Sequence, residues 1–300
     1  MSYEELIVPS RDLYPLSVRI FAASNPKGVI KFIHGMEEHQ SRYEEFAEYL
    51  SKRGYIVVTA DLRGHGKNAK KLSHIANKDG HRLLVEDERV IREYIDSRWP
   101  ELPKYLFAHS MGTIIARNLL QLDSSKYEKV ALSGYPNTPG IAPIGVALAA
   151  TIKLFKGPEG YSKTLTNASV GQFSKAVKNA KTPLDWLSYN EENVQKYIKD
   201  PLCGEEFTVG SYCALLHLTN DMHKVSKFKD VKKDLPILLI SGEDDPCTGG
   251  EKGRQDSLKV LSKAGFNKVE VVTIKHNRHE ILNEDSKAET MKTIGDFFDK

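Results

Sequence analysis

The chain has 300 residues, of which 40% are hydrophobic, 9% aromatic and 28% charged, and its mean hydropathy is −0.42. These proportions exclude a disordered segment, a collagen-like fibre and a membrane channel, and the length suits one large α/β domain carrying an insertion. The formal charge of +3, with both signs interspersed along the chain, argues against nucleic acid as a partner.

The opening stretch, MSYEELIVPSRDLYPL, lacks the basic patch and apolar core of a secretory leader. Short β-branched and aromatic runs then predict strands over 16–22, 28–33, 55–60, 105–109, 129–133, 237–241 and 269–274. Between them, apolar residues recur at helical spacing over 42–53, 83–98, 111–122, 252–264 and 285–298. Strands alternating with helices predict a mostly parallel sheet covered on both faces.

The second strand ends in His34-Gly35-Met36, and the third in Asp61-Leu-Arg-Gly-His-Gly66. The fourth runs into Ala108-His109-Ser110-Met111-Gly112 and directly on into a helical pattern. A serine at the apex of a strand–turn–helix, with small residues two before and two after it, has the form of a nucleophile elbow. Ala108 replaces the first glycine usual there, and an isolated S-x-G is commonplace, so it is the strand–helix context that gives the motif weight.

From about Tyr135 to Met222 no apolar strand pattern appears, which predicts a mainly helical cap over 136–222 inserted in a core formed by 1–135 and 223–300. Its first helical stretch, 141–155, is apolar nearly all round, so it is expected to be buried in the protein or to rest on something greasy. It is too short to span a bilayer and is broken by Pro143, Gly145 and Lys153.

A serine nucleophile needs a base and a carboxylate to orient it, and both are expected downstream in the order Ser, Asp, His. After the strand at 237–241 comes Gly242-Glu243-Asp244-Asp245-Pro246, and after that at 269–274 comes Lys275-His276-Asn277-Arg278-His279-Glu280. Asp245 is the better-spaced acid, with Asp244 as the alternative. His279 is preferred as base because His276 lies too close to the strand end to reach back. Backbone donors for an oxyanion are expected at Met111, following the nucleophile, and at Met36. The bland reading of His34-Gly35 is an ordinary strand-end turn.

Together HGMEEHQSRY, Asp61–Gly66, AHSMG, SGEDDP, RHEILNE and DWLSYNEENVQKYIKDPLCG resemble α/β-hydrolases of the monoglyceride lipase and lysophospholipase-like serine hydrolase family, over nearly the whole chain. The resemblance implies an α/β-hydrolase fold, ester hydrolysis through Ser110, His279 and Asp245, and a structural turn at Asp61–Gly66. It places Glu38 and Arg42 near the alcohol end of the site, although an i,i+4 pair bracing the loop would explain them as well.

The leading expectation is therefore a carboxylic ester hydrolase acting on a monoacylglycerol or lysophospholipid, with Leu148 and the rest of the 141–155 helix lining an acyl channel and permitting transient membrane or micelle contact. An aminopeptidase of the proline iminopeptidase type would use cap acids such as Glu191-Glu192 or Glu205-Glu206 to hold an amine, and a non-enzymatic ligand-binding homologue would keep only the pocket. The chain has no HExxH, and the spacings of His34 to His39 and His276 to His279 make no recognised zinc set; neither a cofactor nor a metal is expected. Cys203, Cys213 and Cys247 cannot all pair and form no CxxC, which suits a reducing, cytoplasmic setting.

Overall fold

A computed structural model describes residues 3–137 and 142–300. Its elements in chain order are β1 (Glu4–Pro9), β2 (Pro15–Phe21), β3 (Gly28–Ile33), α1 (Glu44–Lys52), β4 (Tyr55–Ala60), α2 (Gly80–Arg98), β5 (Lys104–His109), α3 (Met111–Asp123) and β6 (Lys129–Ser133). A helical segment follows: α4 (Ala142–Lys156), α5 (Lys163–Ala168), α6 (Val170–Ala176), α7 (Glu191–Lys199) and α8 (Val209–Met222). The chain then re-enters the sheet with β7 (Pro236–Gly242), α9 (Gly250–Lys263), β8 (Lys268–Ile274) and α10 (Lys287–Asp299).

The eight strands form one sheet in the order β1-β2-β4-β3-β5-β6-β7-β8. β2 pairs antiparallel with both β1 and β4, and every later pairing is parallel. This is the mostly parallel α/β sheet expected. Every residue of β3 and β4 is buried, as suits central strands with helices on both faces. On one face Phe46 and Leu50 of α1 meet Met291, Ile294 and Phe298 of α10. On the other, Ile114, Ile115 and Leu119 of α3 share a cluster with Leu84 of α2, Leu261 of α9 and Leu218 and Met222 of α8.

That last cluster joins the helical segment to the sheet domain. Among the thirteen residues of α3 only Leu122 is exposed, because α8 covers the side that would otherwise face solvent; Asn118 Nδ2 and Gln121 Nε2 donate to the carbonyls of Leu218 and Asp221 at 3.0 and 2.8 Å. One charge lies deep in the sheet: Lys31 of β3 is fully buried and pairs with Glu88 of α2 at 2.5 Å. Removing either partner would strand the other without water, so this pair fixes how α2 sits on the sheet.

The first helix of the segment differs from expectation. Its predicted range begins at Ile141, outside the described residues, and α4 buries only Ala142 and Ala149. Gly145 brings α4 close to Leu216 of α8, while Ile144, Leu148, Leu154 and Phe155 are 41–86% exposed. The small residues, with Ile152, supply the packing face, and most of the bulky ones are left outside.

Candidate active site

The ends of five strands, β3, β5, β6, β7 and β8, converge on one cavity. The turn from β5 to α3 places Ser110 at φ 52° and ψ −123°, a left-handed backbone that a serine adopts only when its surroundings enforce it. The Ser110 amide donates to the Ser133 carbonyl at 2.9 Å and the Ser110 carbonyl accepts from the Thr113 amide at 2.8 Å, so the strained residue is held from both sides. The turn also explains the small neighbours. A β-carbon on Gly112 would stand 2.3 Å from the Ile33 carbonyl oxygen and 2.6 Å from that of His34, whereas Ala108 is accommodated fully buried.

Ser110 Oγ donates to His279 Nε2 at 2.7 Å, and His279 Nδ1 donates to Asp245 Oδ2 at 3.0 Å. The carboxylate selects the tautomer: with the proton on Nδ1, Nε2 is left as an acceptor facing the hydroxyl. Asp245 is itself anchored, its Oδ1 accepting from the Cys247 amide at 2.9 Å. Burial opposes the imidazolium, but Asp245, with the carboxylates of Glu280 and Glu38 adding to it, more than offsets burial and holds His279 above the usual histidine range. The neighbouring imidazole of His109, with ring centres 4.7 Å apart, is pushed down to about 4 by burial and by His279, so it remains uncharged beside the pair. Trp186 packs on His279 at 5.0 Å between ring centres.

Met111 is the first residue of α3, so its amide has no acceptor within the helix. It and Met36, the two residues expected to supply oxyanion donors, line the same cavity as Ser110. The loop carrying Met36 is built from below: Asp61 Oδ1 accepts from the Gln40 amide at 2.9 Å and Oδ2 from Gln40 Nε2 at 3.1 Å, which gives the Asp61–Gly66 turn its structural use.

Glu38 and Arg42 take the bracing geometry. Glu38 accepts from the Gly35 amide at 2.6 Å, from Tyr43 Oη at 2.7 Å and from Arg42 Nη1 at 2.8 Å. Arg42 in turn grips Glu280 with both terminal nitrogens, at 2.5 and 2.7 Å, tying the Met36 loop to the residue after His279. Burial opposes the charge on Glu38, yet Arg42 and the nearby imidazoles hold its carboxyl well below the usual range. Glu38 borders the cavity, whereas Arg42 lies on a separate groove with Asn193 and Asp200.

The cavity wall is mostly apolar, with Ile114, Phe173, Leu184, Trp186, Leu215 and Leu216 prominent. Leu148 is not among its lining residues, and the expectation that it lines an acyl channel is corrected: α6, α8 and the 184–187 turn supply those walls because α4 turns its bulky residues outward. Sequence reasoning also missed Glu284, which accepts from the amides of Tyr189, Asn190 and Arg278 and from Ser188 Oγ, fastening the His279 loop to the helical segment. A lone glutamate in a loop carries no local signal of such a role. The two alternative site residues meet at Tyr189, whose hydroxyl donates to Asp244 and whose ring stacks on His276 at 4.1 Å.

Among the described residues two groups bring metal-type donors within 4.8 Å of one another. Asp245, Cys247 and His279 are already joined through the bonds described above. In the other, His39 Nε2 donates to Asp200 Oδ2 at 2.9 Å, and burial pushes the Cys203 thiol up, away from the thiolate a metal would need.

This sheet order, with a serine on a strained turn after β5, defines an α/β-hydrolase. Residues 24–286 match the family described as serine aminopeptidase, S33, and the chain belongs to that family. A monoacylglycerol lipase of Mycolicibacterium smegmatis is 24% identical over 87% of this chain and 84% of its own. The human monoglyceride lipase is 29% identical over 73% and 66%, and phospholipase YtpA of Bacillus subtilis is 27% identical over 93% and 97%. In fold, the chain superposes on a carboxyl esterase from Bacillus coagulans with a TM-score of 0.92 at 23% identity, covering 100% of this chain and 98% of the esterase.

Proposed function

We propose that this protein hydrolyses carboxylic esters, with Ser110 as nucleophile, His279 as general base and then acid, and Asp245 holding the imidazole. The observation that carries this reading is the unbroken line Ser110 Oγ, His279, Asp245, at 2.7 and 3.0 Å. In the first step His279 Nε2 takes the hydroxyl proton as Oγ attacks the ester carbonyl, and the Met36 and Met111 amides receive the charge that develops on its oxygen. Collapse expels the alcohol, which takes the proton from His279, and a water activated by the same nitrogen releases the acid from Ser110.

The apolar walls favour a fatty acyl chain, and relatives named as monoacylglycerol lipases and a phospholipase support a monoacylglycerol or lysophospholipid substrate. Glu191 and Glu192, offered above for an aminopeptidase, pair with Lys181 and Lys196 on the exposed surface, and neither lines the cavity. We read residues 136–222 as a cap over the core of 1–135 and 223–300. Outward-facing Ile144, Leu154 and Phe155, next to Lys153 and Lys156, suit transient contact with a lipid surface. Among the described residues no helix is long and apolar enough to cross a membrane, and three free cysteines suit a cytoplasmic setting. The test is turnover of a panel of monoacylglycerols, lysophospholipids, short esters and prolyl amides. Cleavage of the amides alone would overturn the ester reading.

A further inference from the structure

Within the cavity Glu37 stands apart. It has φ 55°, a left-handed conformation in which a long side chain is strained, and backbone outliers of this kind gather at functional sites. The strain is enforced by its surroundings: the Glu37 carbonyl accepts from Tyr197 Oη at 2.7 Å and from the Gly204 amide at 2.9 Å, and its own amide donates to His65 Nε2 at 3.3 Å. One carboxyl oxygen accepts from the Phe207 amide at 3.2 Å, and the other has no hydrogen-bond partner among the described residues. Glu37 borders the same cavity as Ser110.

Most of the other polar groups on that wall are engaged within the protein, including His109 and Tyr197. Glu38 and Glu280 are bound by Arg42, Thr219 Oγ1 donates to the Leu215 carbonyl, and Gln172 Nε2 donates to that of Ala168. No lysine or arginine is among the described lining residues. An acyl chain occupies apolar wall, so the polar half of an ester is left to the polar lining.

Resting on the ester-hydrolase reading above, we propose that Glu37 is the specificity-determining residue that reads the leaving alcohol by net charge, accepting hydrogen bonds from neutral hydroxylated or cationic alcohols and disfavouring net-anionic ones such as glycerol 3-phosphate. Burial, with the carboxyls of Glu205 and Glu206 adding to it, pushes Glu37 up to about 8. The remaining titratable groups facing it stay uncharged across pH 6.5–9: burial holds His65 down at about 3 and raises the hydroxyls of Tyr197 and Tyr212. Glu38 stays ionised throughout that range, against Arg42. Within this set Glu37 is the carboxyl that gains charge as pH rises.

The experiment compares kcat/KM for octanoyl esters of glycerol, glycerol 3-phosphate and choline from pH 6.5 to 9, in the wild type and in Glu37→Gln. Ratios between substrates cancel the titration of His279. In the wild type the choline-to-glycerophosphate ratio should rise by about tenfold or more with pH, since a new like charge opposes one ester and attracts the other. In Glu37→Gln it should change less than about twofold, and only at the low end of the range, where the phosphate's own second ionisation at about pH 6 is still being completed. A level ratio in the wild type would overturn the proposal even if the variant failed to fold, and equal rises in both proteins would do the same. Hydrolysis with unmoved ratios removes the role of Glu37 alone, whereas no turnover of these esters or of p-nitrophenyl octanoate removes the ester reading and the proposal with it.

Discussion

The Tyr189 hydroxyl donates to Asp244 Oδ2 at 2.9 Å, so the carboxylate next to Asp245 in sequence is engaged with the helical segment while Asp245 faces the imidazole. Both acids lie in the turn that follows β7, and that turn sends Asp244 toward Tyr189 of the helical segment and Asp245 toward His279.

Asp245→Asn should therefore lower kcat by several orders of magnitude, on the order of 10⁴-fold, because an amide cannot hold the productive tautomer of His279. Asp244→Asn should change kcat less than about tenfold, since it weakens one hydrogen bond away from the reacting atoms. Steady-state kinetics on a soluble ester decides between them, and a larger loss at Asp244 would reverse the assignment.

The pH profile follows from the same contact. His279 must be neutral to accept the serine proton, and Asp245 holds it above the ordinary value of 6.5. The acid limb of kcat/KM should thus lie above pH 6.5, activity being lost as pH falls through it. In Asp245→Asn the residual activity should show that limb displaced to lower pH. A displacement upward would contradict the account.

Gly112→Ala should abolish activity and destabilise the fold by about 3 kcal/mol or more. The new β-carbon would meet two backbone carbonyls, at 2.3 and 2.6 Å, and neither can swing aside as a side chain could. Denaturant unfolding of the variant measures this, and native stability with full activity would show that the elbow is looser than described.

Much of this site was legible in the sequence because its signals are local. Ser110 and Asp245 each follow a largely buried strand within a few residues, and burial makes such strands read as continuous apolar runs; His279 follows edge strand β8, none of whose residues is buried, which the β-branched run VEVVTI marks instead. Edge strand β1 was missed because only Val8 of its residues is buried, which leaves EELIVP without a clear period. The cavity walls were misplaced for another reason. An apolar helix can seat either its small or its bulky face, and the contact of Gly145 with Leu216 that decides this for α4 is a pairing across about seventy residues. The roles of Glu37, Tyr189 and Glu284 are likewise made by partners distant in the chain.

That correction has its own consequence for chain-length selectivity. Each added methylene buried against the cavity walls is worth about 0.8 kcal/mol, so kcat/KM should rise severalfold per methylene for monomeric esters until the cavity is filled. Phe173→Ala should flatten that slope, and Leu148→Asp should leave it unchanged because Leu148 is 41% exposed and off the lining. A slope altered by Leu148→Asp and untouched by Phe173→Ala would return the acyl channel to α4.

The central claim is that Ser110 is the nucleophile of an ester hydrolase, and the most direct measurement is labelling with an active-site phosphonate followed by peptide mapping, run beside monoacylglycerol turnover. The account predicts one modified serine, Ser110, with turnover lost in proportion to labelling, and a folded Ser110→Ala protein that neither labels nor turns over. Labelling that persists in Ser110→Ala, or turnover that survives complete modification of Ser110, would contradict it.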